Sequence, residues 1–286
     1  MLPSLFRPLR LGRLFGIPIL ITPLMVVLTL LLLAQVAGRN GPVAAGELLL
    51  LFVILGFSLV VHELAHALVG RRLGLRVLDI TIWPLGGMAR LEGAMHQPQI
   101  EGPVAAAGPL ANLVLAGAFF LIPGPIGESG FWINLVLALG NLIPAFPLDG
   151  GRVLRSWLAR NSPFADATRA AVGLSNLFLL AFLAMAIRFE FIFLGLILAG
   201  YLAWTGRMEL LQSVLRSGRL PTLKPLEVWK RAFRQSSIEP DVSPPSQEEA
   251  SSESEENPPP ETNADLENYR GSLEDYFRQK RKWQSR

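Results

Sequence analysis

His62, Glu63 and His66 fall within one apolar run from Phe57 to Gly70. On a helix, positions four apart lie one turn above each other on the same face. The two imidazoles can therefore face a single metal ion. Glu63 sits beside them, where it could take a proton from a water activated by that ion. H-E-x-x-H on a helix is the arrangement of zinc hydrolases. The chain has three histidines, and two of them are here. All three groups also lie in sequence long and apolar enough to enter a membrane, where ionisable side chains are costly and serve function.

A catalytic zinc site needs three protein ligands and one open position. There are no cysteines, which excludes thiolate ligands, disulfides and cysteine nucleophiles. The third ligand must be a carboxylate or a histidine. Asp79, Glu92, His96 and Glu101 follow the motif, Asp79 in a strand-like piece and the others on a polar loop. Asp149 is the preferred candidate. It comes just after Pro144 and Pro147, which break a helix and free backbone groups. Such backbone is tolerated at membrane depth only where it is buried in protein or lines a wet cavity. The competing role for Asp149 is to cap the helix that starts there. Two neutral imidazoles and one carboxylate leave the ion a net positive charge, which acidifies water. With Glu63 as proton carrier, the reaction pointed to is hydrolysis of a peptide bond.

The elements that must position these groups are membrane spans. The chain is 51% hydrophobic with a mean hydropathy of +0.39, and nearly all its long apolar runs precede Arg207. The fold class expected is an α-helical polytopic membrane protein with about six spans, near residues 24–37, 46–70, 103–122, 131–143, 170–187 and 189–204. The first is expected to be a retained span rather than a cleaved signal. Residues 16–23, β-branched and proline-punctuated, read as extended before a helix that starts near Pro23. A membrane-associated β-hairpin is expected near residues 75–92, with strands 77–83 and 88–92 joined through Pro84, Leu85, Gly86 and Gly87. The third span is rich in small residues that let helices approach closely, and its Asn112 is an amide that must find a partner in lipid.

This organises the chain into a transmembrane domain (1–206), a basic amphipathic juxtamembrane segment facing lipid (207–235), an acidic disordered linker (236–263) and a short C-terminal helix (264–286). The net charge of +3 comes with arginines flanking apolar runs, a sign of membrane orientation and not of nucleic-acid binding. In a six-span arrangement only Arg39 and Arg188 fall on one side. The other arginines near span ends, from Arg7 to Arg216, fall opposite. Both termini are then expected in the cytoplasm of a multi-pass cell-membrane protein. The second and fourth spans run the same way, which brings His62, His66 and Asp149 to one depth.

These residues resemble the site-2 protease family of intramembrane zinc metalloproteases. The resemblance is carried by His62-Glu63-Leu64-Ala65-His66, by the run Asn141, Pro144, Pro147, Leu148, Asp149, Gly150, Gly151, Arg152, and by Gly108-Pro109-Leu110-Ala111-Asn112. It covers about residues 10–205. It implies one zinc ion held by His62, His66 and Asp149, with Glu63 as catalytic base. It implies that Asn112 and Asn141 polarise or position the substrate or the site, and that the hairpin at Gly86 and Gly87 presents an edge to substrate. Substrates would be single-span membrane proteins, cut to release a regulator or to clear signal-peptide remnants. No PDZ or CBS domain is visible, and the basic and acidic tail takes that place. A metal transporter is the competing class, but it has no need of a base beside its ligands and would carry polar residues on more spans. An inactive homologue acting as a chaperone is opposed by the intact motif.

Overall fold

The computed structural model describes residues 7–236, apart from 85, 95–96, 189–191 and 219. Most of the expected acidic linker and the whole of the expected C-terminal helix lie outside the described residues. The described chain is mainly helical with one small sheet. In order the elements are β1 (Leu9–Leu14), β2 (Ile17–Ile21), α1 (Pro23–Asn40), α2 (Pro42–Arg72), β3 (Arg76–Trp83), β4 (Gly86–Glu92), α3 (Pro98–Phe120), α4 (Pro125–Leu142), α5 (Asp149–Leu158), α6 (Phe164–Arg188), α7 (Ile192–Ser217) and α8 (Pro225–Ser236). Several helices open on proline, whose fixed φ and missing N–H suit a first helical position. Gly41, at φ 88°, turns the chain between α1 and α2.

α1, α2, α3 and the stretch Phe164–Ala186 of α6 are long and apolar enough to cross a membrane. α1 buries none of its residues, and Leu30 and Leu31 are each about 60% exposed. A face of that size left bare is matched to lipid. The other two helices expected as spans differ in composition. Gly127, Glu128, Ser129, Asn134 and Asn141 dilute α4, and Arg207, Glu209, Gln212 and Arg216 occupy the second half of α7. α7 also runs straight through position 206, so the boundary placed there falls inside a helix.

The expected hairpin is half of a four-stranded sheet of order β1-β2-β3-β4. β1 and β2 are antiparallel around Phe15 (φ 52°) and Gly16 (φ 82°), the two positive φ values of a tight hairpin turn. β2 then pairs in parallel with β3, Ile19 opposite Ile80, with α1 and α2 as the crossover. β3 and β4 are antiparallel, and β4 forms an edge. The extended reading of 16–23 matches β2. β1 was not expected, because Leu9–Leu14 is exposed along its whole length and has no buried face to leave an alternating pattern. Ile17, Ile19, Ile80 and Ile82 pack with Ala67, Leu59 and Leu64 of α2. The sheet therefore lies directly on the part of α2 that carries the histidines.

α3 packs against α2, α4 and α5. Its prolines Pro103 and Pro109 and glycines Gly102 and Gly108 sit inside the helix, and Val104, Ala105, Gly108 and Asn112 are buried. α5 is short and packs into a second cluster with Phe146, Ala167, Ala171 and Val228.

Candidate metal centre

α2 presents His62, Glu63 and His66 on its inner face, all buried. Asp149 is the first residue of α5, and its position depends on the two glycines after it. A Cβ on Gly150 would collide with the carbonyl oxygens of Leu142 and Ile143, and one on Gly151 would come within 2.8 Å of the Ala145 carbonyl carbon. Only glycine lets the first turn of α5 press against the broken end of α4. The residue at the cap position of α5 is Leu148, and among the described residues no side chain caps that helix. The carboxylate of Asp149 instead points at the histidines, so the capping role is not the one it plays.

Three atoms converge. Nε2 of His62 lies 3.1 Å from Oδ2 of Asp149, Nε2 of His66 lies 3.2 Å from the same oxygen, and the two nitrogens are 3.1 Å apart. Ligand atoms on a tetrahedral zinc ion, each about 2.0–2.1 Å from it, stand about 3.3 Å from one another. The triangle thus has the size that zinc requires. Space for an ion is kept by Gly108 of α3. A Cβ there would lie 2.6 Å from Nε2 of His62 and still closer to Nε2 of His66.

The rings are also turned correctly. Nδ1 of His66 is 2.6 Å from the carbonyl oxygen of Val104. A carbonyl only accepts, so Nδ1 carries the proton and Nε2 offers its lone pair. Nδ1 of His62 bonds to Oδ1 of Asn112. The donor set of two imidazoles and one carboxylate suits zinc.

Glu63 stands beside the triangle, with its Oε2 accepting from the amide of Ala89 on β4 at 2.8 Å. β4 approaches so closely that a Cβ on Gly87 would sit 2.5 Å from Cγ of Glu63. Next to the triangle opens a cavity of about 910 Å³ whose lining includes His62, Glu63, His66, Asp149, Gly86, Gly87 and Asn141. Asn141 donates its side-chain amide to the carbonyl of Leu137 at 2.9 Å. Asn112 is fully buried and faces His62 rather than the cavity.

The other carboxylates near the motif are occupied elsewhere. Asp79 accepts from Nε of Arg90 at 2.9 Å, across the β3–β4 ladder. Glu92 lies 3.9 Å from Arg76, and Glu101 is bound by Arg155 and lies 3.6 Å from Arg152. His96 lies outside the described residues. Sequence reasoning did not single out Asn134, Ser58 or the contact of Gly108 with the histidines. Asn134 could have been found by the signal that marked Asn112, an amide within an apolar helix.

The model of peptidase family M50 matches residues 50–124 and 125–183, which hold both motifs. A protein of Methanocaldococcus jannaschii named as a zinc metalloprotease is 34% identical over 138 residues, 37% of this chain and 72% of that protein. The chain belongs to peptidase family M50. Rip3 of Mycobacterium tuberculosis, also named as a zinc metalloprotease, is 36% identical over 169 residues. That match is 54% of this M50 chain and 42% of Rip3, so the chain spans less than half of that relative. The solved Site-2 Protease from Methanocaldococcus jannaschii has the same fold, with a TM-score of 0.54 at 24% identity, covering 76% of this chain and 98% of that one.

Proposed function

We propose that this M50 chain is an intramembrane zinc metalloprotease that hydrolyses peptide bonds of single-span membrane proteins. The observation that carries this reading is the triangle of His62, His66 and Asp149 with Glu63 at its side, opening on one cavity. The site is read as the centre of a multi-pass cell-membrane domain of six spans, α4 and α7 included, with both termini cytoplasmic. Trp132, Val136 and Leu139 on the outer face of α4 are each more than half exposed and support α4 as a span.

Zinc, when bound by these residues, supplies Lewis acidity that polarises a carbonyl oxygen and acidifies water. Glu63 takes the proton of the attacking water on its carboxylate and returns it to the leaving amine. The backbone of Ala89 holds that carboxylate in place. Val104 and Asn112 keep the two rings oriented. Asn141, on the cavity wall, is placed to contact the substrate backbone. A membrane helix hides its peptide bonds in its own hydrogen bonds, so a substrate must unwind before attack. The edge of β4 at Gly86 and Gly87 offers backbone groups that replace the lost bonds. Beyond α7, the helix α8 turns Val228 and Ala232 inward and Lys230, Arg231 and Arg234 outward, a distribution suited to anionic headgroups.

Membranes containing the chain and a single-span reporter test the reading. Cleavage should stop on chelation and return when zinc is restored. Cleavage that persists through chelation would contradict it.

A further inference from the structure

Asn134 lies on α4, fully buried, and touches neither the cavity nor a metal ligand. Its side-chain amide nevertheless has a full set of partners. One atom is 2.8 Å from the carbonyl oxygen of Gly130. A backbone carbonyl can only accept, so this atom is the nitrogen. The second N–H of that nitrogen points to Oγ of Ser58 at 2.9 Å. With both donors used, Oδ1 of Asn134 faces Asn112, and the Asn112 atom 2.7 Å away must donate. That atom is Nδ2, which also lies 3.4 Å from another pure acceptor, the carbonyl oxygen of Ser58. The oxygen of Asn112 is therefore the atom turned to Nδ1 of His62. An oxygen there requires a proton on Nδ1. A neutral imidazole carries one N–H, so Nε2 is bare, and it is Nε2 that faces Asp149 and His66.

We propose that Asn134 is a positioning residue for the metal centre, fixing the tautomer of His62 by holding the Asn112 amide in one of its two orientations. The orientation starts from the Gly130 carbonyl, which cannot reverse its role, and passes through two amides to the ring. A flipped Asn112 would present its NH2 group to Nδ1, move the proton to Nε2 and place it where the ion must bind. Among apolar helices there is no bulk water to correct the flip. Partners of this kind behind a ligating histidine are worth about 10–100-fold in metal affinity. The proposal rests on the metal-centre reading above.

The test is zinc affinity of the purified full chain, measured by competition with a chromophoric chelator, with thermal unfolding followed in parallel. Wild type that binds no zinc would sink the metal-centre reading itself. Given wild-type binding, Asn134→Leu should weaken affinity by about 10–100-fold. Asn112→Asp is the informative partner, because a carboxylate accepts through either oxygen and cannot be flipped into a donor. Added to Asn134→Leu, it should recover most of the lost affinity. A packing defect caused by Asn134→Leu would not be rescued this way. Wild-type affinity in Asn134→Leu, or a double variant as weak as the single one, overturns the proposal. Should Asn134→Leu fail to accumulate, Asn134→Ala with and without Asn112→Asp gives the same comparison.

Discussion

Oδ2 of Asp149 lies 3.1 Å from Nε2 of His62, although 87 residues separate the two in the chain. Two helices that approach from different parts of the sequence close one ligand triangle. Asp149→Ala removes a corner, leaving two imidazoles for an ion that needs three protein ligands. Zinc affinity should fall by more than the roughly 100-fold that a supporting residue can cost. Metal content after dialysis against a graded chelator series checks this, and wild-type retention would contradict it.

Gly108 keeps the space beside the two Nε2 atoms open. Gly108→Ala adds one methyl group at a helical position, where alanine is intrinsically favoured by about 1 kcal/mol. The variant should fold and accumulate as wild type does, yet bind little zinc. The checks are thermal unfolding and metal content on one preparation.

Gly87→Ala places a Cβ against Cγ of Glu63 rather than against the ligands. Glu63 or β4 must shift. Cleavage should drop by at least about 10-fold, the lower part of what a positioned proton carrier contributes, while zinc content stays at the wild-type level. Loss of zinc together with activity would mean that β4 supports the ligands and not the base.

Arg155 and Glu101 form a buried ion pair that joins α5 to α3, and Arg155 also bonds to Glu209 of α7 at 2.7 Å. The guanidinium lies over the rings of Phe146 and Phe164. Among the described residues, Arg155→Met leaves Glu101 buried with only Arg152, 3.6 Å away. The cost is about 3–5 kcal/mol, read as a lowered unfolding temperature in detergent. Glu209→Gln touches a partner about one-third exposed and should cost no more than about 1 kcal/mol.

The legible parts of the site are those written locally. His62 and His66 are four apart on one helix, and that spacing alone puts them on one face. Asp149 was legible through the helix break before it, and its carboxylate does meet the two histidines. The spacing could not show that its carboxylate leaves the cap position empty, because that depends on how Gly150 and Gly151 dock on α4. Asn134, Ser58 and Gly108 act through contacts between helices, and no periodicity records which buried small or polar residue meets which ring. In the sheet, β3 was legible from its β-branched residues and β4 from Met88 onward, but Gly86 and Gly87, expected in the connection, are the first two residues of β4 and pair with Trp83 and Ile82. β1 was not, since both its faces are exposed and its pairing comes from the turn at Phe15 and Gly16. The span count was read from apolar runs, and it is least distinct where α4 and α7 exchange apolar residues for the polar groups that line or support the cavity.

The most direct test of the account is cleavage of a single-span substrate by the purified chain in lipid vesicles, comparing wild type with Glu63→Gln at equal zinc content. Both proteins should hold about one zinc ion per chain. Wild type should cut the substrate, and Glu63→Gln should be slower by about 100-fold or more. Equal rates from the two proteins would contradict the claim that Glu63 carries the proton at a zinc centre built from His62, His66 and Asp149.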